Sequence, residues 1–352
     1  LHYLSHQKDK GFLKYKHSYI GEYITIIVSL LIFLILNLTL GSVILPLKDI
    51  AASLIGGESS DFVNDIIFSY RIPKAITAIL AGAALSLCGL QMQTLFRNPL
   101  ADPYILGISS GAGLGVALLV MGFSAFGISA SNSIYATVGI ASSAWLGALG
   151  VTILILLVSA KLRESTSLLI FGIMLGSVVS ALISLIQYFS SSSDLKIFVL
   201  WTMGSFAGLS SVQLVIMSIL ILAGAAISVY NIKDLNALLL GESYAKSLGV
   251  NLEKTRRRIL IATTLLAGSV TAFCGPIGFI GIAVPHIARM MFKNADHKVL
   301  IPASALLGSS IMVFADTVAQ LPGYAGVIPI NTVSALIGVP VIFVIILKSR
   351  HV

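Results

Sequence analysis

Apolar residues run along this chain in long, nearly unbroken stretches separated by short polar segments. Ten such runs stand out, at 24–45, 75–96, 104–126, 134–158, 168–189, 209–230, 259–275, 277–292, 299–319 and 331–347. A helix needs about 20 apolar residues to cross the hydrocarbon of a bilayer. Lipid cannot satisfy a free peptide group, so only helices and closed barrels span it. Barrel strands would alternate apolar and polar positions over about 10 residues, and these runs do not. The pattern therefore predicts an all-α polytopic membrane protein with about ten transmembrane helices. A polar segment (1–23) precedes a single transmembrane domain (24–347), and a short tail (348–352) follows it.

Composition agrees. The 352 residues are 57% hydrophobic and 10% charged, against roughly 25% charged in a soluble domain. The first run is too long for a signal-peptide core and no small-residue cleavage pattern follows it, so it is expected to be retained. Cys88 and Cys274 both lie in apolar runs and read as small packing residues.

Charge orients the chain. With the N-terminus in the cytoplasm, 18 of the 22 basic residues fall in cytoplasmic segments, and only Lys48, Arg71, Lys74 and Lys196 fall outside. Cytoplasmic loops of membrane proteins carry this excess, so both termini are expected inside. The net charge of +8 follows from the same bias, and nucleic-acid binding is not needed to explain it.

Candidate chemistry is sparse. There is no Walker A sequence and no Cys/His cluster with zinc spacing. Gly107, Ser109 and Gly111 match a nucleophile elbow, but that turn needs a strand before it, and Ser109 opens a membrane run. Gly107, Gly111 and Gly115 instead suggest a small helix-packing face. Gly172 with Gly176, and Gly204 with Gly208, repeat the spacing, so the third, fifth and sixth runs are expected to pack closely. Asp316 is the one acid deep in an apolar run, with no charged partner in sight; structural hydrogen bonding is its expected role, and a proton relay the rival. Residues 80–89 (LAGAALSLCG) and 266–275 (LAGSVTAFCG) share five of ten positions, a faint echo of the inverted repeats common in transporters.

Two loops stand apart. FRNPLADP (96–103) sets Asn98 and Pro99 between the second and third runs, with prolines that disfavour helix. GPIGFIGIAVPH (275–286) breaks an apolar region at Gly275, Pro276 and Gly278. Non-helical backbone at that depth must be buried in protein or line a cavity, so both loops are candidates to shape a substrate pathway. LNALLLGESYAKSL (235–248) has helix-like apolar spacing broken at Gly241, which predicts two short helices at the cytoplasmic face. An apolar stripe there suits docking of lipid or a protein partner. Arg256, Arg257 and Arg258 read as a basic collar, setting topology and touching lipid headgroups.

The segment RIPKAITAILAGAALSLCGLQMQTLFRNPLADPYILGISSGAGLG (71–115) closely resembles the hallmark region of the FecCD/BtuC-like family. These are the permeases of bacterial ABC importers for iron-siderophores, haem and cobalamin. Further matches occur at 165–176, 188–208, 238–250, 275–289, 296–316 and 329–343, so the similarity covers nearly everything after residue 40. The resemblance implies a BtuC-like (type II ABC importer) fold in the bacterial cytoplasmic membrane, working as a homodimer. It implies two cytoplasmic ATP-binding subunits, a periplasmic or lipid-anchored binding protein, no cofactor on this chain, and ATP with Mg on the partner. It places ATPase coupling at Leu240, Gly241, Glu242, Leu248 and Gly249, and the cytoplasmic gate at Thr166 and Ser167. It places binding-protein docking at Arg71 and Lys74, with Gln320 where a third basic residue often stands. Iron-siderophore is the first expectation for cargo, haem or cobalamin the alternatives. An ion-coupled secondary transporter using Asp316, or an enzyme using Ser109, are the distant ones.

Overall fold

In a computed structural model, residues 19–41, 43–57, 60–122, 133–162, 164–320 and 327–349 are described, and they contain helices but no strand. Among the described residues, seven helices are long and apolar enough to cross a membrane. They are α1 (Tyr19–Thr39), α3 (Asp61–Leu95), α5 (Ser133–Ser159), α6 (Ser165–Tyr188), α8 (Ser211–Tyr230), α11 (Leu252–Cys274) and α13 (His297–Ala319). Three apolar helices are shorter: α4 (Ile108–Gly122), α12 (Ile280–Phe292) and α14 (Ile330–Val344). Each of the ten apolar runs falls on one of these ten. Four helices join them: α2 (Leu47–Ile55), α7 (Ser192–Thr202), α9 (Ile232–Leu239) and α10 (Glu242–Ser247).

The centre is α3, with α12 and α13 against it. Their backbones touch because glycine stands at the crossings. A Cβ on Gly89 would lie 1.9 Å from the Gly281 carbonyl oxygen, and one on Gly82 would lie 2.2 Å from that of Gly308. Ser309 adds an interhelical hydrogen bond, its hydroxyl donating to the Ile79 carbonyl at 2.9 Å. Lipid tails are as apolar as the helices, so close packing and interhelical hydrogen bonds hold such helices together. The α4 glycines work the same way. Gly115 lies against Ser143 of α5, Gly111 against Gly147, and Gly107 against Gly176 of α6. The third and fifth runs therefore pack through these glycines as expected; the sixth packs through a different one, Gly224, where a Cβ would lie 2.8 Å from Leu266 Cγ. Gly204 and Gly208 lie between α7 and α8, in turns with φ of 73° and 86°.

Several boundaries differ from the hydropathy reading. The first helix starts at Tyr19, five residues early. The Tyr19 and Tyr23 rings pack on Phe292, at 6.0 and 4.8 Å between centroids. The Tyr23 hydroxyl also donates to the Val299 carbonyl at 2.9 Å, so tertiary contacts extend the helix into polar sequence. The third run begins at Ile108 rather than 104, after a tight turn at Pro103–Leu106 and Gly107 at φ 77°. In α3 the six-residue segment Ile66–Arg71 is π-helical. The wider turn lies just before Pro73, whose ring and missing N–H would otherwise disrupt a regular helix.

Burial is uneven. The apolar windows of α3, α11 and α13 are mostly buried, whereas those of α1 and α6 are only 6% and 11% buried. The α3 crossings carry the first prediction. Gly89→Ala should destabilise the detergent-solubilised protein by about 1–3 kcal/mol or prevent its folding. Gly150→Ala, where no atom lies within 4 Å of the new Cβ, should be neutral. Thermal unfolding followed by size-exclusion chromatography separates the two.

Candidate functional site

At the end of the bundle that the basic residues mark as cytoplasmic, α9 and α10 meet at Gly241, with φ 107° and ψ 155°. Side chains other than glycine rarely adopt that conformation. A second glycine, Gly249 at φ 84°, ends α10, and the Asn251 side chain caps α11 by accepting from the Lys254 N–H at 3.0 Å. The amphipathic spacing resolves into two faces. Leu235, Leu238 and Ala245 are buried, while Leu240, Tyr244 and Leu248 are exposed. Further anchors come from His297, fully buried, whose ring nitrogens lie 2.7 Å from Asn236 Oδ1 and 2.9 Å from Thr94 Oγ1. Asn236 Nδ2 also donates to Asp296 at 2.7 Å. The scattered histidines of the sequence gave no sign of this joint, which needs α3, α9 and α13 assembled.

The basic collar is not a set of free charges. Arg256 is 5% exposed. Its guanidinium donates to the Leu162 carbonyl at 2.9 Å and to Ser165 Oγ at 3.3 Å, and lies 3.5 Å from Glu242 Oε1. Ser165 in turn donates to Glu242. Arg258 pairs with Asp234 at 3.4 Å and lies over the Tyr230 ring at 5.1 Å. Of the three, only Arg257 is classed as exposed. The headgroup reading is thus corrected for Arg256 and Arg258. Their partners are up to 94 residues away in sequence, so no local pattern showed them.

Thr166 and Ser167 open α6 beside this cluster; Thr166 is exposed and lines a cavity of about 750 Å³ with Arg97, Gly241 and Tyr244. From Thr166 a stripe of exposed residues climbs the helix through Ile170, Ile173, Ser177, Ser180 and Ser184. The Ser177 and Ser184 hydroxyls donate back to the Ile173 and Ser180 carbonyls, as membrane serines do when no other partner is present.

The two broken loops are linked but do not form one site. Asn98 and Pro99 follow the C-terminal end of α3, where Asn98 Oδ1 accepts from the Leu100 N–H at 2.9 Å. Beyond the far end of α11, Gly275 (φ 78°) sits where a Cβ would be 2.4 Å from the Trp201 carbonyl oxygen. Pro276 follows it, and the Gly278 N–H donates to Asn331 Oδ1 at 3.1 Å. The link is Tyr104. Its hydroxyl oxygen accepts from the Ile277 N–H at 3.2 Å and from Thr271 Oγ1 at 3.3 Å. Gln93 supports the same region by donating to the Gly281 and Ile282 carbonyls. Protein groups thus satisfy the non-helical backbone at these positions.

At the opposite end of the bundle, Lys74 Nζ lies 3.0 Å from Asp316 Oδ1. Asn37 and Gln320 donate to the other oxygen at 2.9 and 2.8 Å. Asp316 therefore has a basic partner, contrary to the sequence reading. The partner was hidden because the α3–α13 crossing, rather than any local spacing, brings it there. Arg71 is 8% exposed and donates to the Leu38 and Val43 carbonyls. Both cations of the Arg-x-Pro-Lys pattern thus have partners within the chain, and Gln320 is part of the same cluster.

The sequence profile of the FecCD transport family matches residues 29–348. The chain belongs to that family. The vitamin B12 import system permease protein BtuC of Klebsiella pneumoniae is 37% identical, over 81% of this chain and 83% of its own length. The hemin transport system permease protein HmuU of Yersinia pestis is 33% identical, over 91% and 95%. A solved structure described as an inward-facing metal-chelate type ABC transporter superposes with a TM-score of 0.79 at 31% identity, covering 92% of this chain and 98% of that one. This FecCD chain is accordingly an ABC importer permease, a multi-pass membrane protein with the BtuC-like fold.

The buried pair gives the second prediction. Asp316→Ala strands the Lys74 ammonium and should cost about 3–5 kcal/mol. Lys74→Met combined with Asp316→Leu removes both charges and should recover most of that loss. Thermal unfolding of the purified single and double variants measures the difference.

Proposed function

We propose that this FecCD permease carries an iron-siderophore complex across the bacterial cytoplasmic membrane. On this reading it works as a homodimer driven by two cytoplasmic ATP-binding subunits and loaded by a periplasmic or lipid-anchored binding protein. The observation that carries the reading is the condition of α6. It is a membrane-spanning helix of a permease, yet only 11% of its window is buried by its own chain, and it presents hydroxyls as well as apolar groups. A second copy of the chain facing that stripe would enclose an axial pathway starting at Thr166 and Ser167, the proposed gate. Hydroxyls and small apolar groups offer weak contacts, which suits a large cargo that must leave as easily as it enters. Tight binding is left to the delivery protein. Relatives named for vitamin B12 and hemin make cobalamin and haem the second reading for cargo.

Coupling is assigned to Leu240, Gly241, Glu242, Leu248 and Gly249. The exposed Leu240, Tyr244 and Leu248 offer an apolar face that a groove on the ATP-binding subunit would cover. ATP and Mg then act on the partner. Closure of the two ATP-binding subunits moves α9 and α10 and opens one end of the pathway as the other closes. Docking of the binding protein at Arg71 and Lys74 requires its acidic groups to compete with Asp316 and with the Leu38 and Val43 carbonyls, because both cations already have partners.

Two measurements test the reading. Proteoliposomes holding the full importer should take up ferrichrome only with ATP, and should discriminate against cyanocobalamin and haemin. Preference for either of those would reassign the cargo, and uptake that survives without ATP would reject the ABC assignment of mechanism. Tyr244→Asp with Leu248→Asp should abolish co-purification of the ATP-binding subunit while leaving the permease folded.

A further inference from the structure

We infer that Arg256 is the positioning residue that ties the coupling element to the gate helix, so that displacement of α10 is delivered to the start of α6. The inference rests on the coupling reading above and deepens it.

The geometry is a three-way joint made by one guanidinium. Arg256 holds the Leu162 carbonyl, in the turn before α6; Ser165 Oγ, on the first residue of α6; and Glu242, on the first residue of α10. The Ser165 hydroxyl closes the triangle by donating to Glu242. Thr166 and Ser167 come next along α6. Apart from this joint, α10 and the start of α6 flank the 750 Å³ cavity, with Glu164 and Thr166 on one side and Ser243 and Tyr244 on the other.

The chemistry suits transmission. A six-residue helix such as α10 has too few internal hydrogen bonds to fix its own position. Its place is set by what it touches, namely the buried Ala245 and the ion pair at Glu242. Apolar contacts resist separation but allow sliding. A planar guanidinium with charge-assisted bonds in fixed directions resists both. Arg256 itself belongs to α11, whose window is 72% buried, so the joint has a firm base. Arg257, one residue on and exposed, is the natural control.

The test uses the full importer with its own ATP-binding subunits in proteoliposomes, comparing ATP hydrolysis with uptake of ferrichrome, cyanocobalamin or haemin, whichever the unmodified complex carries. Arg256→Gln should keep the ATP-binding subunits bound and hydrolysis within about twofold. Uptake per ATP should fall roughly five- to tenfold, within the range that breaking a coupling contact produces. Arg256→Lys, which keeps charge but not the fork, should fall less, and Arg257→Gln should match the unmodified complex. Where Arg256→Gln fails to assemble, Glu242→Gln removes the same pair without changing side-chain shape and should show the same fall. An unchanged uptake-to-ATP ratio in an assembled Arg256→Gln or Glu242→Gln complex overturns the inference. If Tyr244→Asp with Leu248→Asp still captures the ATP-binding subunit, the coupling reading fails and the inference fails with it. If that capture is lost and only the Arg256 and Glu242 variants are silent, the inference alone fails.

Discussion

The structure depends on the approach of α3 to α12 and α13 at distances that only glycine allows. In lipid, helices gain little from hiding apolar surface, so contact of backbone on backbone must supply the attraction. Gly89 on Gly281 and Gly82 on Gly308 provide it along one helix. The same crossings fix both ends of α3. One end holds Lys74 beside Asp316, and the other brings Thr94 to His297 and Arg97 to Gly241. These polar joints are therefore set by the registry of the glycine crossings.

A second constraint shapes the breaks in the helices. The backbone at 101–107 and 275–281 is not helical throughout, and it lies inside the bundle. In the second break the Ile277 and Gly278 N–H groups donate to Tyr104 and Asn331 and the Gly281 carbonyl accepts from Gln93, whereas in the first the Tyr104 N–H donates to Asp102 and the Ile105 and Gly107 N–H groups to nearby carbonyls. The second break therefore depends on residues from elsewhere in the chain, and the first closes on itself. This explains why α4 and α12 can be short without leaving open backbone to lipid at these positions.

Among the described residues, hydropathy located the long apolar helices because burial in lipid writes itself directly into composition. Its boundaries slipped where tertiary contacts overrode local preference, as at Tyr19, held in helix by Phe292 and Asn294. Glycine spacing correctly marked the α4 packing face. It misled at Gly204 and Gly208, where the same residues serve turns. Charge was the least legible feature. Counting arginines and lysines gave a side of the membrane but could not show that Arg256, Arg258 and Lys74 each have an acidic partner tens to hundreds of residues away. Long-range pairs of this kind leave no periodic trace in a single sequence. The roles proposed for individual site residues rest on family resemblance and on assembled geometry.

The separation of labour between α3 and α6 has an evolutionary side. The residues that hold the fold sit on α3, α11 and α13, while α6 gives its own chain little to hold. If α6 lines the pathway as proposed, its exposed positions can change size or polarity while the glycine crossings stay untouched. On that reading one scaffold could be retuned from one bulky chelate to another at small cost in stability. Relatives named for cargoes as unlike as a corrinoid and a haem, sharing about a third of their residues with this chain, are what such a division would be expected to leave behind.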